Sequence, residues 1–386
     1  MSTPAPAPAA PARGASSRID RFLAILPARN GSDLHLAAGS PPILRLDGEL
    51  ERSRYRDLTE ADYENLVRPI TPAATWQRFL ATGDVDFAYQ MGQEARFRVN
   101  LFRQERGPAA VFRLIPSRVP TTEELDLPAS VAGLFAAERG LVLVTGPTGS
   151  GKSTTLAAIL DRVNKRLPYH VVTIEDPIEF VHTNDRSVFT QRELGEDVPT
   201  FAEGVKAAIR EDPDCLLVGE MRDLETIRMA LTAAETGLLV FATLHTNSAA
   251  KAVDRIIDAF PAAEQEQIRT VLAEVLRAVV AQQLLRRREK GRVAAFEVLI
   301  GSTALSNAIR EGKTGLINNQ IQTGKSKGMV SMDQSLSELV RSGAVAPDEA
   351  LERALDKDSF KSFVATLPKE PRREPAPPTT PPAPAR

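Results

Sequence analysis

In the first third of the chain, hydrophobic and polar residues alternate along several segments. The segment DLHLAAGSPPILRLDGEL alternates and then turns at Pro-Pro and Asp-Gly, which predicts strands and a hairpin. ARFRVNLFRQERGPAAVFRLIP predicts two further strands joined by a Gly-Pro turn. Before them, SRIDRFLAILPAR places Ile19, Phe22, Leu23 and Leu26 on one face of a predicted helix. Residues 17–116 therefore predict a first α/β domain.

From Gly140 onward, short apolar runs alternate with amphipathic helical patterns. The runs LVLVT, YHVVTIED, CLLVGE and LLVFATLH lack polar alternation, which is typical of strands buried on both faces of a parallel sheet. We predict a second α/β domain over residues 140–367. Residues 117–139 contain several prolines and are predicted to be a linker.

Downstream of these strands, AEQEQIRTVLAEVLRAVVAQQLL repeats apolar residues at helical spacing. We predict one long helix, with ordinary core packing as the role of its apolar stripe. The residues of the stripe are Ile268, Val271, Leu272, Val275, Leu276, Val279 and Val280. Residues from about 304 to 364 continue with helical patterns and predict a C-terminal helical region.

Composition adds information mainly at the two ends. Residues 1–16 and 368–386 hold 12 of the 28 prolines, and segments of this kind are expected to be disordered or polyproline-like. The N-terminus lacks the hydrophobic segment of a secretory signal, and no run approaches the roughly 18 apolar residues that cross a bilayer. The net charge of −2 argues against nucleic-acid binding, and the single Cys215 excludes an internal disulfide or a multi-cysteine zinc site.

The stretch GPTGSGKST matches the phosphate-loop pattern G-x-x-x-x-G-K-[ST]. Its glycines let backbone N–H groups approach phosphates, and the helix that starts there directs its positive end toward them. Lys152 would supply a charge and Ser153 an oxygen for Mg²⁺. Since the loop follows a buried strand and precedes a helix, a surface turn is a poor alternative. The predicted nucleotide-binding residues are Gly146, Pro147, Thr148, Gly149, Ser150, Gly151, Lys152, Ser153 and Thr154.

Acidic residues follow two of the predicted strands. CLLVGEMRD places Glu220 after one strand, and TIEDPIEF places Glu175, Asp176 and Glu179 after another. A carboxylate at such a position can contact the Mg²⁺ shell or orient an attacking water. Either acid alone could be a solvated surface residue. Two acidic strand ends behind one phosphate loop favour hydrolysis over binding alone.

One histidine and three arginines complete the candidate chemistry. His245 in LLVFATLHTNS ends a further strand and fits a γ-phosphate sensor, with a structural histidine as the alternative. The other histidines show no ligand spacing, so Mg²⁺ is the only metal that we predict. Arg96 and Arg98 share one strand face, and Arg113 interrupts the next strand. A solvated face is one explanation, but the planar, permanently charged guanidinium also suits the nucleotide of a neighbouring subunit.

With these motifs in this order, the sequence resembles the secretion and pilus ATPases of the type II/IV family over about residues 17–345. The family's aspartate box is similar to TIEDPIEFVH, its Walker B region to AIREDPDCLLVGEMRDLETI and its histidine box to AETGLLVFATLHTNSAAKAVDRIID. GSDLHLAAGSPPILRLDG and GKSKGMVSMDQSLSELV resemble the branch that retracts type IV pili, and the missing four-cysteine zinc motif favours the same branch. ALSNAIRE at 304–311 departs from the corresponding segment of that branch.

The resemblance implies a PAS-like N-terminal domain followed by a RecA-like P-loop ATPase domain with C-terminal helices. It implies a homohexamer with ATP between the two domains and near the adjacent subunit. Lys152 and Ser153 would bind phosphate and Mg²⁺, and the general base stays open between two acids. The residues given catalytic roles are Glu179 and Glu220 as acids, His245 in the histidine box, and Arg98 and Arg113 as arginine fingers.

The function implied by the resemblance is ATP-driven retraction of type IV pili, and hence twitching motility, through an inner-membrane platform protein. A second retraction ATPase is a further candidate partner. The chain would be cytoplasmic and peripheral to the inner membrane, without inserting into it. The alternatives are an accessory or regulatory pilus ATPase paralogue, a pilus-assembly or secretion ATPase, a nucleotide-gated regulator and a nucleic-acid translocase, which the near-neutral charge disfavours.

Overall fold

The computed structural model describes residues 17–29, 31–46, 48–92, 95–115, 118–289 and 291–367. The two proline-rich ends, over residues 1–16 and 368–386, lie outside the described residues. Within the described part, the chain forms two sheets, one of six strands and one of seven. The predicted mixed α/β class is confirmed.

The first sheet is antiparallel, and its spatial order is β3-β2-β1-β6-β5-β4. Its strands are β1 Gly31–Ala37, β2 Ile43–Leu46, β3 Glu49–Arg52, β4 Asp84–Met91, β5 Ala95–Gln104 and β6 Gly107–Ile115. The helices of this part are α1 Asp20–Leu23, α2 Ile25–Ala28, α3 Glu60–Val67 and α4 Ala73–Thr82.

Strand β5 shows how this domain is built. Alternate side chains of a strand point to opposite faces, so Phe97, Val99 and Leu101 are buried in the core beneath the helices. Arg96 and Arg98 lie on the opposite face, as the sequence predicts. The face that carries these two arginines is less buried than the core face.

Two local predictions in this domain need correction. The hairpin turn between β5 and β6 consists of Glu105 and Arg106, because Gln104 pairs with Gly107 and leaves only two residues for the turn. The predicted first helix is divided into α1 and α2. Pro27 has no N–H to donate to the carbonyl four residues earlier, which interrupts the helical hydrogen-bond ladder.

The second sheet has the order β13-β12-β7-β11-β10-β8-β9 and is parallel except for the β12–β13 pair. Its strands are β7 Gly140–Thr145, β8 His170–Glu175, β9 Val188–Glu193, β10 Cys215–Val218, β11 Leu239–Leu244, β12 Leu276–Arg286 and β13 Arg292–Ile300. Strands β7, β10 and β11 are buried along their whole length. Because these strands are parallel, the polar residues that follow them meet at one edge of the sheet.

Helices surround this sheet and continue beyond it. They are α5 Ala129–Ala132, α6 Lys152–Arg166, α7 Phe201–Ala208, α8 Leu224–Glu235, α9 Ala249–Asp258, α10 Gln265–Val275, α11 Thr303–Arg310, α12 Ile317–Thr323, α13 Met332–Arg341, α14 Pro347–Arg353 and α15 Lys357–Ala365. The last three pack on the ends of β12 and β13 in a core of their own, centred on Leu285, Met332, Leu336 and Phe360. None of the described helices has the length and apolar character that a bilayer span needs.

The prediction of one long helix over AEQEQIRTVLAEVLRAVVAQQLL is wrong. Helix α10 ends at Val275, and β12 begins at the next residue, Leu276. A continuous apolar run suits a buried helix or a strand buried on both faces, so its periodicity does not distinguish them. Pairing with β7 decides the outcome: Val279 and Val280 lie beside Leu143 and Val144 and are fully buried.

Candidate nucleotide-binding site

The glycine-rich loop connects β7 to α6, and its backbone conformation requires glycine. Gly146 and Gly151 have φ angles of 146° and 88°, which other residues rarely adopt. A Cβ atom at Gly146 would overlap the backbone carbonyl oxygen of Gln282. Helix α6 begins at Lys152, so the first N–H groups of this helix have no acceptor within it. N–H groups of this kind at a helix N-terminus suit an anion, and Ser153 and Thr154 lie in the same first turn.

Strand β12 holds this loop from the adjacent position in the sheet. The side-chain Nε2 of Gln282 donates to the backbone oxygen of Ser150 over 2.8 Å, and the Thr155 hydroxyl donates to Oε1 of Gln282 over 2.8 Å. Gln282 is 3% exposed, so both bonds are shielded from water. No motif in the sequence marks Gln282 as a site residue. Its only signal is a pair of glutamines, Gln282 and Gln283, within a mostly apolar run.

Lys152 extends its ammonium group over the loop. Its Nζ donates to the backbone oxygens of Gly146, over 2.8 Å, and Pro147, over 3.1 Å. Burial lowers the pKa of Lys152, although the nearby carboxylates of Glu220 and Glu179 act in the opposite direction. The structure therefore brings both predicted acids within electrostatic range of the predicted phosphate-binding lysine.

The chemistry of the loop fits a polyphosphate. It combines a cation, a helix N-terminus and glycine-permitted close approach of the backbone. The buried hydroxyls of Ser150 and Thr246 have no hydrogen-bond partner among the described residues. Pro147, His245 and Thr246 line one open depression, which places the predicted sensor histidine next to the loop.

Glu220 follows β10 and is bound by two side chains. Its Oε1 lies 2.7 Å from Nε of Arg222 and 2.8 Å from Nε2 of His245. Burial alone raises the pKa of Glu220, but the hydrogen bond from Arg222 and the electrostatic influence of His245 hold the pKa below its usual range. The carboxylate is therefore ionised at neutral pH. Arg222 is a further site residue that was not predicted, although it lies within the segment similar to the Walker B region.

The aspartate-box loop follows β8 and carries the second acid. Glu179 is exposed on this loop, after a cis peptide bond between Asp176 and Pro177. Glu175, at the end of β8, accepts hydrogen bonds from the Thr173 hydroxyl over 2.6 Å and from Gln191 Nε2 over 3.2 Å. Burial raises the pKa of Glu175 to about 7. The two carboxylates of this segment thus differ in environment, since Glu175 is partly buried and Glu179 is exposed.

The two predicted arginine fingers bind carboxylates of their own domain within this chain. Nε of Arg98 lies 3.4 Å from Oδ1 of Asp86, and Nε of Arg113 lies 2.9 Å from Oδ1 of Asp33. Arg98 and Arg113 are directly opposite on β5 and β6. The side chain of Arg113 is 69% exposed, so its terminal nitrogens face outward from the sheet.

The comparisons with known proteins point in one direction. A family profile described as "Type II/IV secretion system protein" matches residues 77–352, which is more than half of the chain. The chain belongs to the type II/IV secretion ATPase family.

Within this family, the chain is of the PilT type. It is 48% identical over 342 residues to the protein described as type IV pilus retractation ATPase PilT of Pseudomonas aeruginosa, covering 89% of this chain and 99% of that one. It is 50% identical over 320 residues to a twitching motility protein of Neisseria gonorrhoeae, covering 83% and 86%. A crystal structure of the pilus retraction motor PilT with bound ADP superposes with a TM-score of 0.84 at 41% identity, covering 90% and 99% of the two chains.

Membership of the type II/IV secretion ATPase family confirms the two-domain fold class and identifies the protein as an ATPase. The individual roles of Glu179, Glu220, His245, Arg98 and Arg113 stay predictions. The geometry places the first three around the loop. It leaves the two arginines on the first domain, paired with Asp86 and Asp33.

The partly buried carboxyl of Glu175 makes the stability of this ATPase depend on pH. Its folded pKa of about 7 lies above the ordinary value of 4.5, so its contribution to stability is complete below pH 4.5 and is lost as pH rises through 7. Glu175→Gln keeps both acceptor bonds and cannot ionise. We expect this variant to become more stable relative to wild type as the pH rises from 5 to 8. The difference in unfolding free energy should reach at most about 3 kcal/mol, and the melting temperature should rise accordingly.

The measurement is thermal unfolding of both chains across that pH range. Glu203→Gln, at an exposed position in the first turn of α7, is the matched control and should give a difference from wild type that does not vary with pH. A Glu175→Gln difference that stays constant with pH would contradict the raised pKa.

Proposed function

We propose that this chain is the subunit of a homohexameric, Mg²⁺-dependent ATPase motor that drives retraction of type IV pili through an inner-membrane platform protein. The observation that carries the proposal is the 48% identity to a pilus retraction ATPase across nearly the whole of both chains. The phosphate loop, the two acids and the histidine box give this assignment its chemistry. The motor works from the cytoplasmic side, and the membrane is reached through the platform protein.

In the proposed mechanism, each site residue acts through a property that its surroundings support. Lys152 and the N-terminus of α6 bind the phosphates, and Ser153 supplies an oxygen for Mg²⁺. A Mg²⁺ ion held there would supply positive charge to offset the negative charge that develops on the phosphates. The carboxylates of Glu179 and Glu220 orient the attacking water, and His245 links Glu220 to the γ-phosphate position. Glu220 is kept ionised by its contacts with Arg222 and His245.

Arg98 and Arg113 supply positive charge to the nucleotide of the adjacent subunit. Their terminal nitrogens suit phosphate oxygens, and a guanidinium stays charged throughout the physiological pH range. Opening and closing of the two domains in turn around the ring would then move the platform protein. Pilin subunits would return to the membrane.

The test of the function is the phenotype of a strain that lacks this chain. A retraction motor predicts more and longer surface pili and loss of twitching motility. Cells without pili would instead indicate an assembly ATPase. Turnover of the purified protein with and without the platform protein separates a motor from a nucleotide-gated regulator, and stimulation by single-stranded DNA would indicate a translocase.

The trans action of the arginines can be tested with mixed rings. Arg113→Ala and Lys152→Ala should each be inactive alone. In a mixture, some interfaces combine an intact phosphate loop with an intact Arg113 from the neighbour, so part of the ATP turnover should return. The measurement is turnover against mixing ratio, with subunit exchange verified by mass spectrometry.

Arg106→Ala is the matched control, because Arg106 lies in the exposed turn between β5 and β6 and is not a predicted finger. This variant should be active alone. Mixed rings that stay inactive despite subunit exchange would mean that Arg113 acts within its own chain or only at the surface.

A further inference from the structure

One carboxylate forms a hydrogen-bonded ion pair between the first sheet and the ATPase part. Nη2 of Arg96, on β5, donates to Oε2 of Glu193 over 3.1 Å, and Glu193 is the last residue of β9. In the part of the chain that the structure describes, this is the only hydrogen bond between residues 17–115 and residues 118–367. The side chains are 23% and 10% exposed, so water screens this ion pair weakly.

The same carboxylate oxygen also holds the aspartate-box loop. The backbone N–H of Ile178 donates to Oε2 of Glu193 over 3.2 Å, and the next residue is Glu179. Strand β9 fixes the loop at two further points, since Gln191 donates to the backbone oxygen of Phe180 and accepts from the backbone N–H of His182. Of these three attachments, the one at Glu193 is also bound by the first domain.

The ionised form of the Glu193 carboxylate is stabilised by the positive charge of Arg96. Burial raises the pKa of Glu193, and the Ile178 N–H and Arg96 offset this only in part, while Glu196 and Asp197 add to it. A buried carboxylate without its cation is costly and becomes a weaker acceptor. A crevice lined by residues of both domains, among them Arg98 and Asp176, lies beside the pair.

We propose that Glu193 is a positioning residue, which couples docking of the first domain through Arg96 to placement of the loop that carries Glu179. When Arg96 is docked, Glu193 is a charged acceptor and holds the Ile178 peptide in place. When the first domain moves away, the carboxylate loses its cation and the loop loses that fixed point. The closure of the first domain is thereby communicated to a catalytic acid of the same subunit.

This inference rests on the proposed ATPase mechanism, and steady-state ATP turnover tests it. Glu193→Gln keeps an oxygen for Ile178 but loses the negative charge that attracts Arg96. We expect kcat to fall roughly tenfold, the scale of a small misplacement of a reacting group, with KM for ATP within about twofold of wild type. Arg96→Gln should give the same pattern, and Arg96→Lys should recover much of kcat. The double variant Arg96→Gln/Glu193→Gln should be no slower than either single variant, because both remove one interaction.

Glu196→Gln is the matched control, since Glu196 is an exposed acid of the same crevice and should leave kcat unchanged within about twofold. Should Glu193→Gln lower thermal stability, Arg96→Gln and its rescue by Arg96→Lys decide the matter, because they alter only the first-domain partner. A wild-type kcat in Glu193→Gln or Arg96→Gln, or additive effects in the double variant, would overturn the coupling. A wild-type chain without ATP turnover would overturn the proposed function itself.

Discussion

We expect Lys152→Ala to reduce ATP turnover to the assay background and to remove most of the nucleotide affinity. The substitution deletes the one ammonium group that the loop presents to the phosphates, and no neighbouring lysine replaces it in the first turn of α6. The fold should persist, because Gln282 and the glycine geometry hold the loop independently of Lys152. Turnover, fluorescent-nucleotide binding and thermal unfolding measure the three parts of this expectation.

The same helix provides the control for this prediction. Lys165 lies in the last turn of α6 and pairs with Asp161 on the helix surface. Lys165→Ala removes the same charge from the same helix, far from the loop, and should retain wild-type turnover. A Lys152→Ala chain that hydrolyses ATP normally would exclude this loop as the nucleotide site.

Glu220→Gln should bind ATP with near wild-type affinity and turn it over at least about a hundredfold more slowly, the scale expected for a positioned acid or base. The amide keeps an oxygen that can accept from Arg222 and His245, so the local geometry should survive. The negative charge is what the variant lacks. Single-turnover kinetics and the ratio of ATP to ADP retained by the purified protein are the measurements, and this variant should retain ATP.

Glu225→Gln provides the comparison, because Glu225 is an exposed acid in the first turn of α8, a few residues beyond Glu220. It should turn over ATP at the wild-type rate. Near-normal turnover in Glu220→Gln would assign the chemistry to Glu179 alone or to neither acid.

The phosphate loop and the polar strand ends were predictable because their signals are local. A glycine that must adopt positive φ, a lysine at a fixed spacing and an acid after an apolar strand all lie within a few residues of one another. Parallel pairing then brings separate strand ends to one edge, whatever the loops between them. The sequence therefore predicted Lys152, Glu220 and His245 as neighbours, and the structure places them so.

Features that depend on a distant partner were not predictable in this way. The apolar run after α10 becomes a strand only because β7 is available beside it. The roles of three further features depend on contacts that only the fold creates. They are Gln282, Arg222 and the Arg96–Glu193 pair. Arg113 is an instructive case, because its residue type indicated phosphate binding, whereas its partner within one chain is Asp33.

The position of Gln282 determines how much of the chain a fragment needs in order to keep the phosphate loop in place. A fragment ending after α9 would contain every nucleotide motif of the chain and would still be incomplete. Without β12, strand β7 would become an open edge, and the backbone oxygen of Ser150 would lose the donor that holds it. The smallest segment that keeps the phosphate loop intact therefore extends through the β12–β13 hairpin, well past the last motif. A fusion or truncation designed from the motifs alone would cut inside this segment.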